Sequence, residues 1–308
     1  MILQLVNLFK AARMFSTIVG RSGREYVHQQ VIYEHPSKKP ELNIHLGRCD
    51  GKPYVLKPVS PSIFDFLQSF KEEFKNNHRL RHHLDDNDTQ KVLVYEYFKS
   101  NLLELVDAYA PLPLLARKTI LKEVGLALKD MHSKHWIHLD IKPDNVFLNW
   151  YLDNDDKFHV DKVQLGDMDC ALKLEGQKLL NHRIGNMMWQ SPEGQVGKGI
   201  GKPSELLSNF GPLPDALVEH VQDKKGGALL KDLWEMVVAE ERREGYESFE
   251  EWSEKNYRNL DNEAKRLILR MTNLDPAKRA SMEDIMIDSY WDGVDSHGVF
   301  EIICEDID

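Results

Sequence analysis

The order of apolar and polar positions predicts strands first and helices later. Residues 25–34 (EYVHQQVIYE) and 41–46 (ELNIHL) read as strands separated by the turn-like HPSKKP, and 54–57 (YVLK) as a third after the Asp50-Gly51 turn. Over 64–84, Phe66, Phe70, Phe74 and Leu80 recur at helix-compatible spacing with charges between them. Residues 91–98 (KVLVYEYF) read as a strand, and 116–134 as an amphipathic helix with Ile120, Val124, Leu128 and Met131 on one face. A hairpin pattern follows, 146–151 and 158–165 around a turn at 153–157. Helical spacing returns at 228–241 and 264–271. The pattern supports an α+β architecture: a small β-rich half followed by a larger helical half.

Composition narrows the class. A chain of 308 residues is long enough for one large domain or two lobes, and 42% hydrophobic with 29% charged residues is an ordinary globular balance. Acids outnumber bases 50 to 40, a net charge of −10 that argues against a nucleic-acid or anionic-membrane binder. The apolar runs are too short for a membrane-spanning helix. Cys49, Cys170 and Cys304 are odd in number and hold no C-x-x-C pair, which points to a reducing, intracellular compartment, the cytoplasm foremost. Residues 1–24 differ from the rest: Lys10, Arg13, Arg21 and Arg24 with no acid, and a rough apolar face of Leu5, Leu8, Met14 and Phe15. That is the pattern of a mitochondrial presequence, or else of a solvated leader lying on the first strand.

The chemistry concentrates in residues 138–145, HLDIKPDN, directly after a helix and before a hairpin. Asp140 offers a carboxylate to orient a hydroxyl and take its proton, Lys142 a cation for moving phosphoryl charge, and Asn145 an amide oxygen for a metal. This stretch resembles the catalytic loop of the eukaryotic protein kinases, and other segments resemble further kinase motifs in the same order. Residues 165–169 (LGDMD) stand in the place of D-F-G, which implies Asp167 as the main Mg²⁺ ligand with Asn145. Lys57, ending YVLK, resembles the lysine that reaches the α/β-phosphates, with Glu73 its implied partner in preference to Glu72. In the strand 91–98, Tyr95 resembles the gatekeeper, and the backbones of Glu96 and Phe98 are implied to take the adenine. Ser191-Pro192-Glu193 resembles A-P-E, and LDPAKR near the C-terminus the segment that pairs with it, which implies a structural Glu193–Arg279 ion pair. The resemblance covers about residues 25 to 292 and is similar to divergent fungal kinase-like proteins.

The resemblance implies a bilobal fold with a basic leader at 1–24, an N-lobe at 25–98, a C-lobe at 99–292 and an acidic tail at 293–308. It implies ATP and Mg²⁺ as cofactors and a protein Ser/Thr hydroxyl as acceptor, Lys142 being of the Ser/Thr type. Several positions depart from the pattern. No G-x-G-x-x-G lies between 25 and 57, where Pro36-Ser37-Lys38-Lys39-Pro40 stands instead. Met168 and Asp169 replace the Phe and Gly of D-F-G, and Leu139 the arginine that pairs with an activation-loop phosphate. No Thr or Tyr lies between Asp167 and Glu193, and Asn186 stands where such kinases have a threonine. A central C-lobe helix looks missing or truncated, with a gap between about Glu205 and Leu206. Two other readings stay open: a pseudokinase that binds nucleotide or protein, and a small-molecule phosphotransferase.

Overall fold

The computed structural model describes residues 17–109, 111–174, 213–221, 223–241, 249, 251–257 and 260–294, in two compact units divided after Lys99. The first unit holds a six-stranded antiparallel sheet in the order β1-β2-β3-β4-β6-β5. Its strands are β1 (Thr17–Val19), β2 (Glu25–Tyr33), β3 (Ile44–Cys49), β4 (Lys52–Pro58), β5 (Asp85–Asn87) and β6 (Val92–Glu96). One face buries Ile18, Tyr26, Cys49, Leu56, Val92 and Val94 together.

The sheet begins at Thr17, inside the stretch that reads as a leader. Thr17 pairs with Val27 and Val19 with Glu25, while Ile18 is fully buried. Three residues are too few to display a strand period, so the pattern missed them. What holds them is a buried carboxylate. Asp85 accepts hydrogen bonds from Ser22 N at 3.1 Å, from Ser22 Oγ, from Tyr26 Oη at 3.0 Å and from Asp86 N at 2.9 Å. Burial pushes its pKa up, but these donors outweigh that and hold it below the ordinary carboxylate value. Arg21 pairs with Asp86 at 2.8 Å. The strand expected at 41–46 starts at Ile44, because Pro40–Leu42 closes a short 3-10 turn that the fixed φ of Pro40 favours.

Helix α1 (Pro61–Phe74) connects β4 to β5 and is shorter than the predicted 64–84. Ser60 caps it, accepting from Ile63 N at 3.3 Å, and Pro61 occupies the first turn, where no N–H is needed. Phe64, Leu67, Phe70 and Phe74 are its buried stripe. Beyond Phe74 the side chains favour a turn. Asn77 Oδ1 accepts from Arg79 N at 2.9 Å, and His82 Nε2 lies 3.0 Å from the Phe74 carbonyl, so Leu80 reaches the core from a loop.

The second unit contains β7 (Ser100–Asn101), α2 (Leu102–Tyr109), α3 (Leu114–Ser133), β8 (Trp136–Ile137), β9 (Val146–Leu152), β10 (Phe158–Leu165) and β11 (Leu172–Lys173). Beyond these come α4 (Asp215–His220), α5 (Lys224–Glu241), α6 (Asn262–Met271) and α7 (Met282–Met286). Strands β10, β9 and β7 form one sheet in that order, and β11 pairs with β8. Helix α3 buries Ala116, Ile120, Leu128 and Met131, close to the predicted face. Gly125 lets α7 approach: a β-carbon there would sit 2.4 Å from Met286 Sδ. Leu230 of α5 packs with Leu217, Val221 and Leu274, while Leu229 beside it is exposed. No described helix is long and apolar enough to cross a membrane. Glu193, Asn186, the SPE segment and the region around Glu205 lie outside the described residues.

Two predictions follow from the first unit. A methyl group on Gly20 would lie 2.0 Å from Asp85 Oδ2. Gly20→Ala is therefore expected to destabilise by about 1–3 kcal/mol, read as a lowered midpoint in denaturant; an unchanged midpoint contradicts the role given to Asp85. His83 has its pKa held down to about 3, first by burial and then by Lys71 and other nearby cations, and burial also lowers His45 and His82. These rings are neutral when folded and gain protons more readily when unfolded. Their stabilisation is complete above the unfolded value and is lost as pH falls from there toward the folded value. The His83 contribution to the unfolding free energy is expected to fall by about 1 kcal/mol between pH 6.5 and 5.5, a fall that His83→Gln lacks. Equal stability at pH 7.5 and 5.5 would contradict it.

Candidate active site

The second unit builds the site from a loop and a hairpin. Helix α3 ends at Ser133, and the chain turns at His135, whose φ is +64°, into β8. The loop 138–142 follows, then a 3-10 turn (Pro143–Asn145) that leads into β9. Strand β10 returns antiparallel with Leu165 opposite Val146, which sets Gly166 beside Asn145. Gly166 N donates to the Asn145 carbonyl at 2.8 Å. Register, rather than proximity in sequence, thus delivers Asp167 to the end of the loop that carries Asp140 and Asn145.

His138 ties the two segments together from below. Its side chain is buried, with Nε2 2.9 Å from the Gly166 carbonyl and Nδ1 3.3 Å from Asp140 N. A carbonyl only accepts and an N–H only donates, so the ring is the neutral tautomer with its proton on Nε2. Burial lowers its pKa, against the pull of the Gly166 carbonyl, Asp167 and Asp140.

Asp140 and Asn145 are both buried. Asn145 Nδ2 donates to the Asp140 carbonyl at 2.8 Å and to Asp140 Oδ2 at 3.0 Å. Two acceptors on one side fix the orientation of the amide, leaving Oδ1 as the oxygen it can offer to a cation. Lys142 Nζ lies 3.2 Å from Asp140 Oδ2. Burial disfavours the ammonium, but Asp140, Asp144 and Asp167 outweigh that and raise its pKa above the ordinary value. The Asp140 carboxylate is therefore held in one orientation beside the Lys142 ammonium.

Asp167 sits in the left-handed region (φ 59°, ψ 61°) and precedes a 3-10 turn, Met168–Cys170. A non-glycine residue held there is strained by about 1–2 kcal/mol, which the bonds of Gly166 on one side and buried Met168 on the other must offset. Met168, which stands where the resemblance expects a phenylalanine, is buried. An amide oxygen and a carboxylate are hard donors of the kind Mg²⁺ prefers, and that ion keeps waters and phosphate oxygens as its remaining ligands. No group of three or more His, Cys, Asp or Glu that could hold a metal occurs among the described residues.

The first unit carries the other expected residues. Lys57 is half-buried on β4 opposite Leu93 of β6, and Glu73 is half-buried in the last turn of α1. Glu72 is exposed and lies 4.0 Å from Lys75. Tyr95 and Phe98 are buried. The Glu96 carbonyl accepts a hydrogen bond from Arg81 Nη2 at 2.8 Å, a contact that spacing alone did not reveal. Arg279 is buried, with Nε donating to the Asn273 carbonyl at 2.7 Å; its expected partner Glu193 is outside the described residues. Sequence reasoning quoted His138 without giving it a role. The signal was a histidine two residues before the aspartate.

Residues 57–291 match the family described as protein kinase domain. A cGMP-dependent protein kinase of Plasmodium berghei is 32% identical over 186 residues, 52% of this chain and 20% of its own length. Homeodomain-interacting protein kinase 1 of Mus musculus is 27% identical over 130 residues, 42% of this chain and 9% of its own. The DYRK-family kinase pom1 of Schizosaccharomyces pombe is 29% identical over 116 residues, 37% of this chain and 10% of its own. The chain thus spans a fifth or less of these relatives' lengths. The family match runs from Lys57 past α7, well over half of the chain, and its fold is the two-lobed α+β one that the pattern implied. This chain belongs to the protein kinase family.

Proposed function

We propose that the chain transfers the γ-phosphoryl group of Mg-ATP to a Ser/Thr hydroxyl of a protein substrate. The observation that carries this reading is the fixed Asp140 carboxylate, with Asn145 Nδ2 at 3.0 Å and Lys142 Nζ at 3.2 Å on the same oxygen. A carboxylate so placed orients an incoming hydroxyl and accepts its proton as the O–P bond forms. Lys142 stabilises charge on the moving phosphoryl group. Asn145 Oδ1 and Asp167 would hold Mg²⁺, which when bound neutralises charge on the phosphate oxygens. Lys57, supported by Glu73, positions the α/β-phosphates, and the Glu96 and Phe98 backbones take the base.

A second reading, a nucleotide- or protein-binding pseudokinase, is favoured by the β2–β3 connection. It contains Pro36 and Pro40 and a 3-10 turn in place of a glycine-rich loop. Prolines have no N–H to offer a phosphate, so this connection lacks donors that such a loop supplies. The intact set of Asp140, Asn145 and Asp167 favours the enzyme.

Asp140→Asn separates the two. Phosphoryl transfer to a generic basic protein is expected to fall by at least about a hundredfold, with ATP affinity nearly unchanged. Equal transfer by the wild type and the variant would remove Asp140 from the chemistry, and no transfer by either would favour the binding module.

A further inference from the structure

Helix α2 of the second unit is rich in apolar residues and yet buries one side chain, Leu105. At about 100° per residue, Tyr109, Val106 and Leu103 fall on one continuous arc of its open side. They are 44%, 39% and 41% exposed. The strip does not end with the helix. The Tyr109 ring meets the Trp150 ring of β9 edge-on, with centroids 4.7 Å apart. Leu152, two residues further along β9 and so on the same face as Trp150, is 43% exposed. Single exposed apolar side chains are common on protein surfaces, whereas four large ones on adjoining elements mark a contact surface.

The borders of the strip carry mainly one sign of charge. Asp107 flanks Leu103 on the helix, and Glu104 follows it round. Past Leu152, the turn into β10 adds exposed Asp155 and Asp156, with Lys157 as its one cation. Asp153 in the same turn is already engaged, accepting from Asp155 N at 2.9 Å and Lys157 N at 3.0 Å and lying 2.7 Å from His159 Nε2. From Ser100 to Ala116 the sequence has no lysine or arginine. A second copy apposed through the same strip would bring Glu104 and Asp107 near their own counterparts. An anionic lipid surface would meet the same charge, so both occupants are disfavoured.

We propose that this strip docks a partner protein through a segment that sets apolar side chains between lysines or arginines. The apolar anchors of that segment cover Leu103, Val106, Tyr109 and Leu152, and its cations meet Glu104, Asp107, Asp155 and Asp156. Helix α2 also packs against the turn Pro143–Asn145, so docking takes place close to the candidate site. The proposal does not depend on phosphoryl transfer and holds for an enzyme and a binding module alike.

The probes are two labelled amphipathic peptides of about fifteen residues, one of leucine and lysine and one of leucine and glutamate, titrated with the full chain and read by fluorescence anisotropy. The lysine peptide is expected to bind and the glutamate peptide is not. Val106→Lys places a like charge at the centre of the strip and is expected to weaken the lysine peptide by about tenfold or more. Asp107→Lys keeps every apolar side chain of the strip and shifts the affinity in the same direction, which serves where Val106→Lys does not melt cooperatively. Ile287→Lys, at a 76% exposed position outside the strip, controls for non-specific adhesion and leaves the affinity unchanged. Equal binding of both peptides, an affinity that Val106→Lys and Asp107→Lys leave unchanged, a loss of the same size in all three variants, or no binding by the wild type overturns the proposal. So does a wild type that sediments as a dimer and that Val106→Lys turns into a monomer, which assigns the strip to a second copy.

Discussion

The candidate site depends on one buried imidazole. His138 has a single proton to donate and a single lone pair to accept with, and it spends neither on water. It gives the proton to the Gly166 carbonyl and takes the Asp140 N–H, so two segments 28 residues apart in sequence become one rigid piece. The Gly166 N–H, bonded to the Asn145 carbonyl, closes the loop from the other side. Every group expected to handle phosphate in the second unit is attached to this frame. A charged ring at this depth would have to be desolvated and would lose its acceptor nitrogen, which is why burial keeps it neutral.

Strain is placed beside that frame. Leu139 has a φ of +65° and Asp167 a φ of +59°, both in the left-handed region that side chains other than glycine avoid. Each adjoins a residue with two fixed backbone or ring bonds: His138 and Asp140 flank Leu139, and Gly166 precedes Asp167. The hydrogen bonds over-determine the path and the unfavourable dihedrals follow.

Much of this was legible in the sequence where a period or a spacing is long enough to read. The hairpin of β9 and β10 fell close to its expected bounds, and the order of Asp140, Lys142, Asn145 and Asp167 predicted the residues that the register brings together. Short elements and long-range side-chain bonds were not legible. Thr17–Val19 shows no period, and its attachment depends on Asp85, far away in sequence. The end of α1 was overrun because Leu80 continues the apolar count, whereas Asn77 and His82 close a turn that a hydrophobic pattern does not record. No spacing in the sequence singles out Arg81. Only the fold brings it to the Glu96 carbonyl.

The central claim is that Asn145 and Asp167 form a working magnesium–nucleotide site on this frame, despite a β2–β3 connection without glycines. The most direct measurement is a thermal melt of the chain with millimolar ATP, with and without Mg²⁺, beside Asp167→Asn. A ligand at a hundred times its Kd stabilises by about 2.7 kcal/mol, an upward shift of a few degrees. The account predicts that shift in the wild type with Mg²⁺ present and its loss in the variant. A cooperative wild-type melt that Mg-ATP does not move would contradict it.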